Sequence, residues 1–286
     1  MATSPSIPPT SARLRIRWRW LALGPRMWLG LGLIAVIVLV AIVVPLANHQ
    51  NPDTLNPLAA MLPPDRAHLM GTDQYGRDIL LRGAYAARLD LLFGIVPVAA
   101  SFLLGGAFGL VAGYFGGWAD TIVMRLVDVM VAFPYLVLVI VIIAILGPGV
   151  AGMMIAITIV DWTVYARLVR GEVLVVKKLD YVVAGRLLGL PTARVLLRHV
   201  LPNVITPGLV YSMVDVVNTI LVAASLSFLG LGVQPPTPEW GAMIADGQNF
   251  IFQAWWMTVM PGIFLVITGV GLSLVADGLA EMIEGG

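Results

Sequence analysis

Long apolar runs, each of the length needed to cross a bilayer, are the feature that most restricts how this chain can fold. The run from Met27 to Ala47 contains no charged residue. A helix of about 20 mostly apolar residues crosses a hydrocarbon core of about 30 Å. The chain is 59% hydrophobic and 12% charged, whereas soluble domains carry about 25% charged residues. Because so few charges could not cover a soluble core of this size, the sequence predicts a membrane protein.

Six segments satisfy this length criterion, so we predict an all-α membrane protein with six transmembrane helices. The third, fourth and fifth segments each carry an acidic residue in their interior. A seventh run, 225–233, is too short to span and is predicted to be interfacial or re-entrant. The predicted spans are residues 27–47, about 89–115, 121–146, 150–166, about 204–224 and about 254–275.

The basic residues predict the orientation of these spans. Of the 17 Lys and Arg residues, all but Arg66, Arg77, Arg82 and Arg88 lie in the N-terminal tail, near the start of the third span, or between the fourth and fifth spans. Lys and Arg concentrate in cytoplasmic loops. We therefore expect both termini to be cytoplasmic.

The spans and this orientation divide the chain into segments. A cleaved signal peptide at the N-terminus is the alternative to an anchor, but the first apolar run exceeds the usual 7–15 residues. The predicted segments are a cytoplasmic tail 1–26, a first transmembrane helix 27–47, an external segment 48–88, a core 89–278 with a cytoplasmic loop 167–203, and a cytoplasmic tail 279–286.

The cytoplasmic loop contains signals for two short helices. Asp180 can cap the first and Gly189 can end it, while Thr192 can cap a second helix that runs to about Val200 and is stopped by Pro202. Two short helices that meet at Gly189 would form a compact knob. Such a knob suits docking to another protein, and resting on lipid headgroups is the alternative that its arginines also allow.

The knob resembles the EAA loop of permease subunits of ATP-binding-cassette importers. The resemblance rests on Ala184-Gly185-x-x-x-Gly189, followed after nine residues by His199-x-Leu201-Pro202. Val183 stands where the family has a glutamate, and Gly185 where it has a second alanine. The resemblance implies that the knob contacts the ATPase, through the residues Asp180, Val183, Ala184, Gly185, Gly189, His199, Leu201 and Pro202.

Two further stretches resemble the C-type subunit of the dipeptide, oligopeptide and nickel permease family. They are residues 68–78, before the second span, and residues 225–241, between the fifth and sixth. The resemblance implies a type I importer fold, of the MetI-like kind, in the plasma (inner) membrane. It also implies a heterodimeric pore with a second permease, two cytoplasmic ATPases and an external solute-binding protein. This chain is expected to bind no cofactor, with ATP and Mg on the ATPases. Peptides are the expected substrate, and nickel or another small solute is the alternative.

Acidic residues inside predicted spans need a partner or a watery cavity. Asp128 follows Arg125 by one turn and is expected to pair with it, whereas Asp161 is expected to meet water or Arg167. Asp215 has no basic residue in its own span, which leaves a hydrogen-bond donor, the partner permease or the transport path. A path-lining Asp215 could meet the amino group of a peptide.

Other motifs suggest packing or loop structure. Residues 71–78 lack the Gly-Lys-Ser/Thr ending of a phosphate loop. Turns and Asp–Arg pairing on an external cap explain them better. This cap is also a candidate contact for the binding protein. Gly105, Gly109 and Gly113 form a small-residue ladder for close helix packing.

Rival functions lack sequence support. The chain has no cysteine, and its three histidines lie far apart. It contains neither Gly-x-Ser-x-Gly nor His-Glu-x-x-His, and no Walker-type loop. An intramembrane protease would depend on a pairing of Asp161 with Asp215. A simple channel or scaffold is the third alternative.

Overall fold

A computed structural model describes residues 24–284, and all its regular elements in this range are helical. The tail arginines Arg13, Arg15, Arg17 and Arg19 lie outside the described residues. One short 3-10 turn covers Pro57–Ala59, and a wide π turn covers Leu196–Val200. The α-helices are α1 (Pro25–Ala47), α2 (Ile79–Phe115), α3 (Gly117–Val131), α4 (Tyr135–Leu146), α5 (Val150–Val176), α6 (Asp180–Leu187), α7 (Thr192–Val195), α8 (Leu201–Phe228), α9 (Trp240–Gln248) and α10 (Trp256–Glu284).

The prediction of six spans is matched by five long apolar helices and one bent pair among the described residues. The third predicted span is broken: α3 and α4 meet at 94°. Pro134 lies at the break and is the N-cap of α4. Since proline has no backbone N–H and clashes with the preceding turn, a straight helix cannot continue through it.

Several helices extend beyond the predicted spans because polar residues in their end turns are satisfied within the chain. Helix α2 begins at Ile79, ten positions before the predicted start, and the Asp78 side chain accepts a hydrogen bond from the backbone N–H of Leu81 at 2.8 Å. Helix α5 continues past Ala166 to Val176, and α10 continues through the predicted tail to Glu284. Hydropathy alone therefore made these helices too short.

The small-residue ladder on α2 packs directly against α5, as predicted. A Cβ on Gly105 would collide with the carbonyl oxygen of Trp162, and one on Gly109 would collide with that of Ala166. A Cβ on Gly113 would lie 2.8 Å from Cβ of Val173. These contacts bring the two helix backbones together over about two turns, and this pair forms the centre of the fold.

The expected stop at Pro202 is wrong. The chain passes from α7 through the π turn directly into α8, and Pro202 lies in the first turn of α8. Proline is tolerated there because first-turn N–H groups have no partner within their own helix. As a result, the knob, residues 180–202, is continuous with a long apolar helix.

Candidate functional site

Helix α6, the first helix of the knob, ends in a defined C-terminal motif. Gly189, which was predicted to end this helix, has φ +75°. The backbone N–H of Gly189 donates to the Arg186 carbonyl oxygen at 3.0 Å, and that of Leu190 donates to the Gly185 carbonyl oxygen at 3.2 Å. This pair of bonds is a Schellman motif, which favours glycine because a Cβ disfavours the left-handed conformation. The turn between α6 and α7 is therefore fixed by Gly189.

One face of the knob is buried against the ends of the long helices. Val182, Val195 and Val200 are completely buried in a cluster that includes Val173 of α5 and Val204 of α8. Two polar contacts also tie this region to the end of α2. Lys177 donates to the Gly113 carbonyl oxygen at 2.6 Å, and the Arg186 guanidinium lies 4.8 Å from the Tyr114 ring centroid. A displacement of the knob therefore displaces the helix ends.

The opposite face of the knob is apolar and exposed. Leu187 is 83% exposed and Leu188 81%, and Val183 and Ala184 lie exposed beside them. Gly185 instead faces inward, where an added Cβ would lie 3.4 Å from Leu190. The close approach at Gly185 is therefore made by this chain's own Leu190.

The remaining predicted knob residues occupy different environments. Asp180 is exposed in the first turn of α6, where its negative charge interacts favourably with the helix dipole. It does not cap the helix, because no side-chain hydrogen bond is made at that end. His199 and Leu201 are partly buried, and Pro202 is exposed. The Asn203 side chain donates to the His199 carbonyl oxygen at 2.7 Å. Leu201 packs against the buried valine cluster.

A second group of polar residues lies between α4, α5 and α8, and we call it the acid–tyrosine cluster: Asp161, Asp215, Tyr135, Tyr165 and Tyr211. Both acids are only 6% exposed. The Tyr165 hydroxyl donates to Oδ2 of Asp215 at 2.7 Å, and Tyr135 lies beside Asp161. The Tyr165 and Tyr211 rings meet edge to face with centroids 5.3 Å apart. Of the alternatives for Asp215, a hydrogen-bond donor is present within its own chain.

Two predicted partners of the intramembrane acids are wrong in the described part of the chain. Asp128 pairs with Arg167 at 3.3 Å and not with Arg125. Arg167 is consequently engaged away from Asp161, which faces Tyr135 and Asp215. Residues one turn apart on a helix share a face, but here a residue on the neighbouring helix α5 is the one in reach.

The 71–78 loop is held by turns and an Asp–Arg pair, as predicted. Gly71 and Gly76 both have positive φ, and an added Cβ at Gly76 would collide with the Asn56 carbonyl oxygen. Arg77 binds Asp73 at 2.5 Å, with both side chains buried. Arg82 in the first turn of α2 reaches Asp53 at 2.5 Å. This loop is therefore a rigid cap over the start of α2.

A buried carboxyl pair lies between α2 and the segment before α9. Glu239 and Asp90 are both completely buried. Glu239 accepts hydrogen bonds from the backbone N–H groups of Gly241 at 2.9 Å and Ala242 at 2.7 Å, which caps α9. Burial raises the pKa of Glu239, although these donors oppose the shift. Trp240 donates its indole N–H to the Gly83 carbonyl oxygen at 3.0 Å and thereby fixes the segment onto α2.

Sequence reasoning missed the tyrosines and the Asp90–Glu239 pair. One signal for the tyrosines is present: Asp161 and Tyr165, and likewise Tyr211 and Asp215, are four residues apart and share a helix face. No local pattern joins Asp90 to Glu239, which lie 149 positions apart in the numbering.

Comparison with known proteins identifies the class of this chain. The model of the family described as binding-protein-dependent transport system inner membrane component matches residues 105–286. The chain belongs to this family, so it is an integral inner-membrane component of a transport system, and the protease alternative is set aside.

Curated relatives give finer likenesses. The chain is 44% identical over 216 residues to the di/tripeptide transport system permease protein DppC of Pseudomonas aeruginosa, covering 76% of this chain and 71% of that protein. It is 38% identical over 244 residues to the dipeptide transport system permease protein DppC of Alkalihalophilus pseudofirmus, covering 85% and 80%. It is 40% identical over 221 residues to the glutathione transport system permease protein GsiD of Pectobacterium atrosepticum, covering 77% and 73%.

Proposed function

We propose that this chain is the permease subunit of an ATP-driven importer for dipeptides and oligopeptides. Relatives named as dipeptide and di/tripeptide permeases, which align over most of this chain, support the substrate class. We assign the coupling role to the knob because one of its faces is apolar and exposed, while the opposite face is buried against α5 and α8. The chain forms half of the transport path, together with a second permease subunit.

The remaining partners follow from this proposal. Two cytoplasmic ATPases bind ATP and Mg and hydrolyse the nucleotide, while this chain binds no cofactor. An external solute-binding protein delivers the peptide to the end of the molecule that carries the 71–78 loop. Both termini and the knob are on the cytoplasmic side, as the distribution of basic residues indicates.

The proposed coupling mechanism is mechanical. An ATPase groove receives the exposed face around Val183, Ala184, Leu187 and Leu188. Burial of such apolar surface in an interface contributes roughly 25 cal/mol of favourable free energy per Å². Because α7 continues through the π turn into α8 without a flexible linker, motion of the ATPase is transmitted to α8. Alternating access then opens the path to each side in turn.

The experiment targets the turn and the exposed face separately. Gly189→Leu puts a side chain on a residue with φ +75°, and Ala184→Trp enlarges an exposed position. Both variants should insert into the membrane and pair with the second permease, but peptide uptake should be abolished. The ATPases should either be released or lose their stimulated hydrolysis. Val183→Ala, a small change in the same face, should be mild, since it removes only packing.

Uptake in proteoliposomes, beside pull-down of the ATPases, decides the outcome. Wild-type uptake with normal ATPase retention in both bulky variants would contradict the coupling role and favour a knob that rests on lipid headgroups. A wild-type complex that imports no peptide would contradict the proposed substrate class.

A further inference from the structure

The acid–tyrosine cluster contains two buried carboxyl groups, and among the described residues no basic side chain pairs with them. Asp161 and Asp215 face one another across α5 and α8, and each is 6% exposed. The nearby arginines on α5 are engaged elsewhere, Arg167 with Asp128 and Arg170 with Asp120. A buried anion without a positive partner is costly in a membrane. The cluster is therefore electrostatically suited to one positive charge.

The hydrogen bonds of the cluster are also incomplete. Within residues 24–284, Oδ2 of Asp161 has no hydrogen-bond partner, although it is buried. Tyr165 supplies a single donor to Asp215. Buried acceptors are almost always paired, so an empty acceptor here marks a place for a group that brings donors. An ammonium group brings three N–H donors together with a positive charge.

The aromatic rings add to this preference for a cation. Tyr135, Tyr165 and Tyr211 surround the two acids, and Tyr165 meets Tyr211 edge to face. Faces of aromatic rings attract ammonium groups. Carboxylates and tyrosine rings around one point are the side chains that recognise an organic ammonium ion rather than an anion.

The cluster lies at the break in the bundle. Tyr135 is the first residue of α4, directly after the 94° bend at Pro134. Interrupted helices are tolerated at membrane depth where the irregular backbone lines a cavity or a path, and transporters place their substrate sites there. Tyr135 and Tyr211 are partly exposed while both acids are buried, so the tyrosine side is the side from which a ligand reaches the acids.

We propose that the acid–tyrosine cluster binds the amino-terminal ammonium group of the peptide in transit. This inference rests on the proposed function and names the chemical feature that the permease itself recognises. Every unmodified peptide carries this group whatever its side chains are, so the site would accept many sequences. A proton and an inorganic monovalent cation are the competing occupants, and the experiment separates them.

The first experiment uses the purified wild-type complex of both permeases and ATPases in detergent, without binding protein. Its apparent melting temperature is titrated with alanyl-alanine amide, which has a free ammonium group. N-acetyl-alanyl-alanine amide is the matched probe without the charge. The free amine should raise the melting temperature, and the acetylated probe should not. Potassium chloride at equal ionic strength should give no shift.

The second experiment repeats the titration with variants. Asp161→Asn and Asp215→Asn keep the side-chain shape and remove the charge. Each should weaken binding of the amine about ten- to hundredfold, the range expected when a charged hydrogen bond is lost. Asp65→Asn is the control, because that side chain is exposed in the loop before α2 and lies outside the cluster. It should bind the amine like the wild type.

The outcomes distinguish this inference from the proposed function. Equal shifts with both probes, or unchanged binding in both cluster variants, would overturn the ammonium site while leaving peptide import intact. A shift with potassium chloride equal to that with the amine would assign the site to an inorganic cation. A stabilisation that depends on pH and not on the amine would assign it to a proton. If an Asn variant fails to assemble, the two probes on the wild-type complex still decide the question.

Discussion

Two neighbouring glycines of α2 allow the packing cost between α2 and α5 to be measured. A Cβ on Gly109 would collide with the backbone carbonyl oxygen of Ala166 and lie 3.1 Å from its Cα. A Cβ on Gly106 would meet nothing within 4 Å. Gly109→Ala and Gly106→Ala are therefore the same chemical change, three residues apart on one helix, with opposite steric consequences.

The expected magnitude follows from two opposing effects. Replacing glycine by alanine inside a helix stabilises by about 0.5–1 kcal/mol. Overpacking a well-packed interface costs about 1–3 kcal/mol, and the obstacle at Gly109 is backbone that cannot rotate away. Because the helix preference is common to both variants, their difference in the free energy of unfolding equals the packing cost, about 1–3 kcal/mol. Gly106→Ala should be neutral or stabilising.

The assay is the apparent melting temperature of each variant in the assembled transporter, measured in one detergent. At roughly 2–4 °C per kcal/mol for a domain of this order of size, the two variants should differ by several degrees. Equal melting temperatures for Gly106→Ala and Gly109→Ala would refute the reasoning, because α2 and α5 would then not be in backbone contact at Gly109.

Two further predictions concern orientation and pH. Cysteines replacing Leu58, which is 97% exposed, and the exposed Lys178 should react with an impermeant thiol reagent from opposite sides of the membrane, and labelling of both from outside would contradict the orientation. Ala59, next to Leu58, is buried and would be a poor probe. Burial raises the pKa of Glu239, so the folded state holds its proton to higher pH than the unfolded chain does. The protonated Glu239 therefore contributes to the stability of the folded state fully below about pH 4.3, and this contribution is lost as the pH rises through the raised pKa. The melting temperature of Glu239→Gln should accordingly rise relative to that of the wild type as the pH increases. Parallel plots of melting temperature against pH for the two proteins would contradict this.

The sequence predicted the features that depend on local chemistry. A helix must satisfy its own backbone hydrogen bonds in lipid, so an apolar run of sufficient length becomes a helix whatever surrounds it. The glycine ladder on α2 and the turn at Gly189 also depend on local chemistry, because the missing Cβ itself allows the close approach and the positive φ. The roles of the knob residues remain predictions.

Helix ends were less predictable because they depend on partners from other parts of the chain. Arg170 in α5 binds Asp120 of α3 at 2.5 and 2.7 Å. Hydropathy counts such an arginine as a reason to end the span at Ala166, whereas the ion pair lets the helix continue to Val176. Pro202 was likewise taken as a stop, but it lies in the first turn of α8, directly after the π turn, where a proline is tolerated.

By itself, the sequence determined that this chain is a helical membrane protein, and its motifs indicated an importer permease. Only the tertiary structure decided which acids meet which partners: it placed Asp161 beside Asp215 and Tyr135, and Asp128 beside Arg167. The physical reason is that a side chain's neighbours on its own helix are fixed by the 3.6-residue turn, while its neighbours on other helices depend on how the bundle packs. An intramembrane carboxyl group needs a partner in either case, and packing alone selects it.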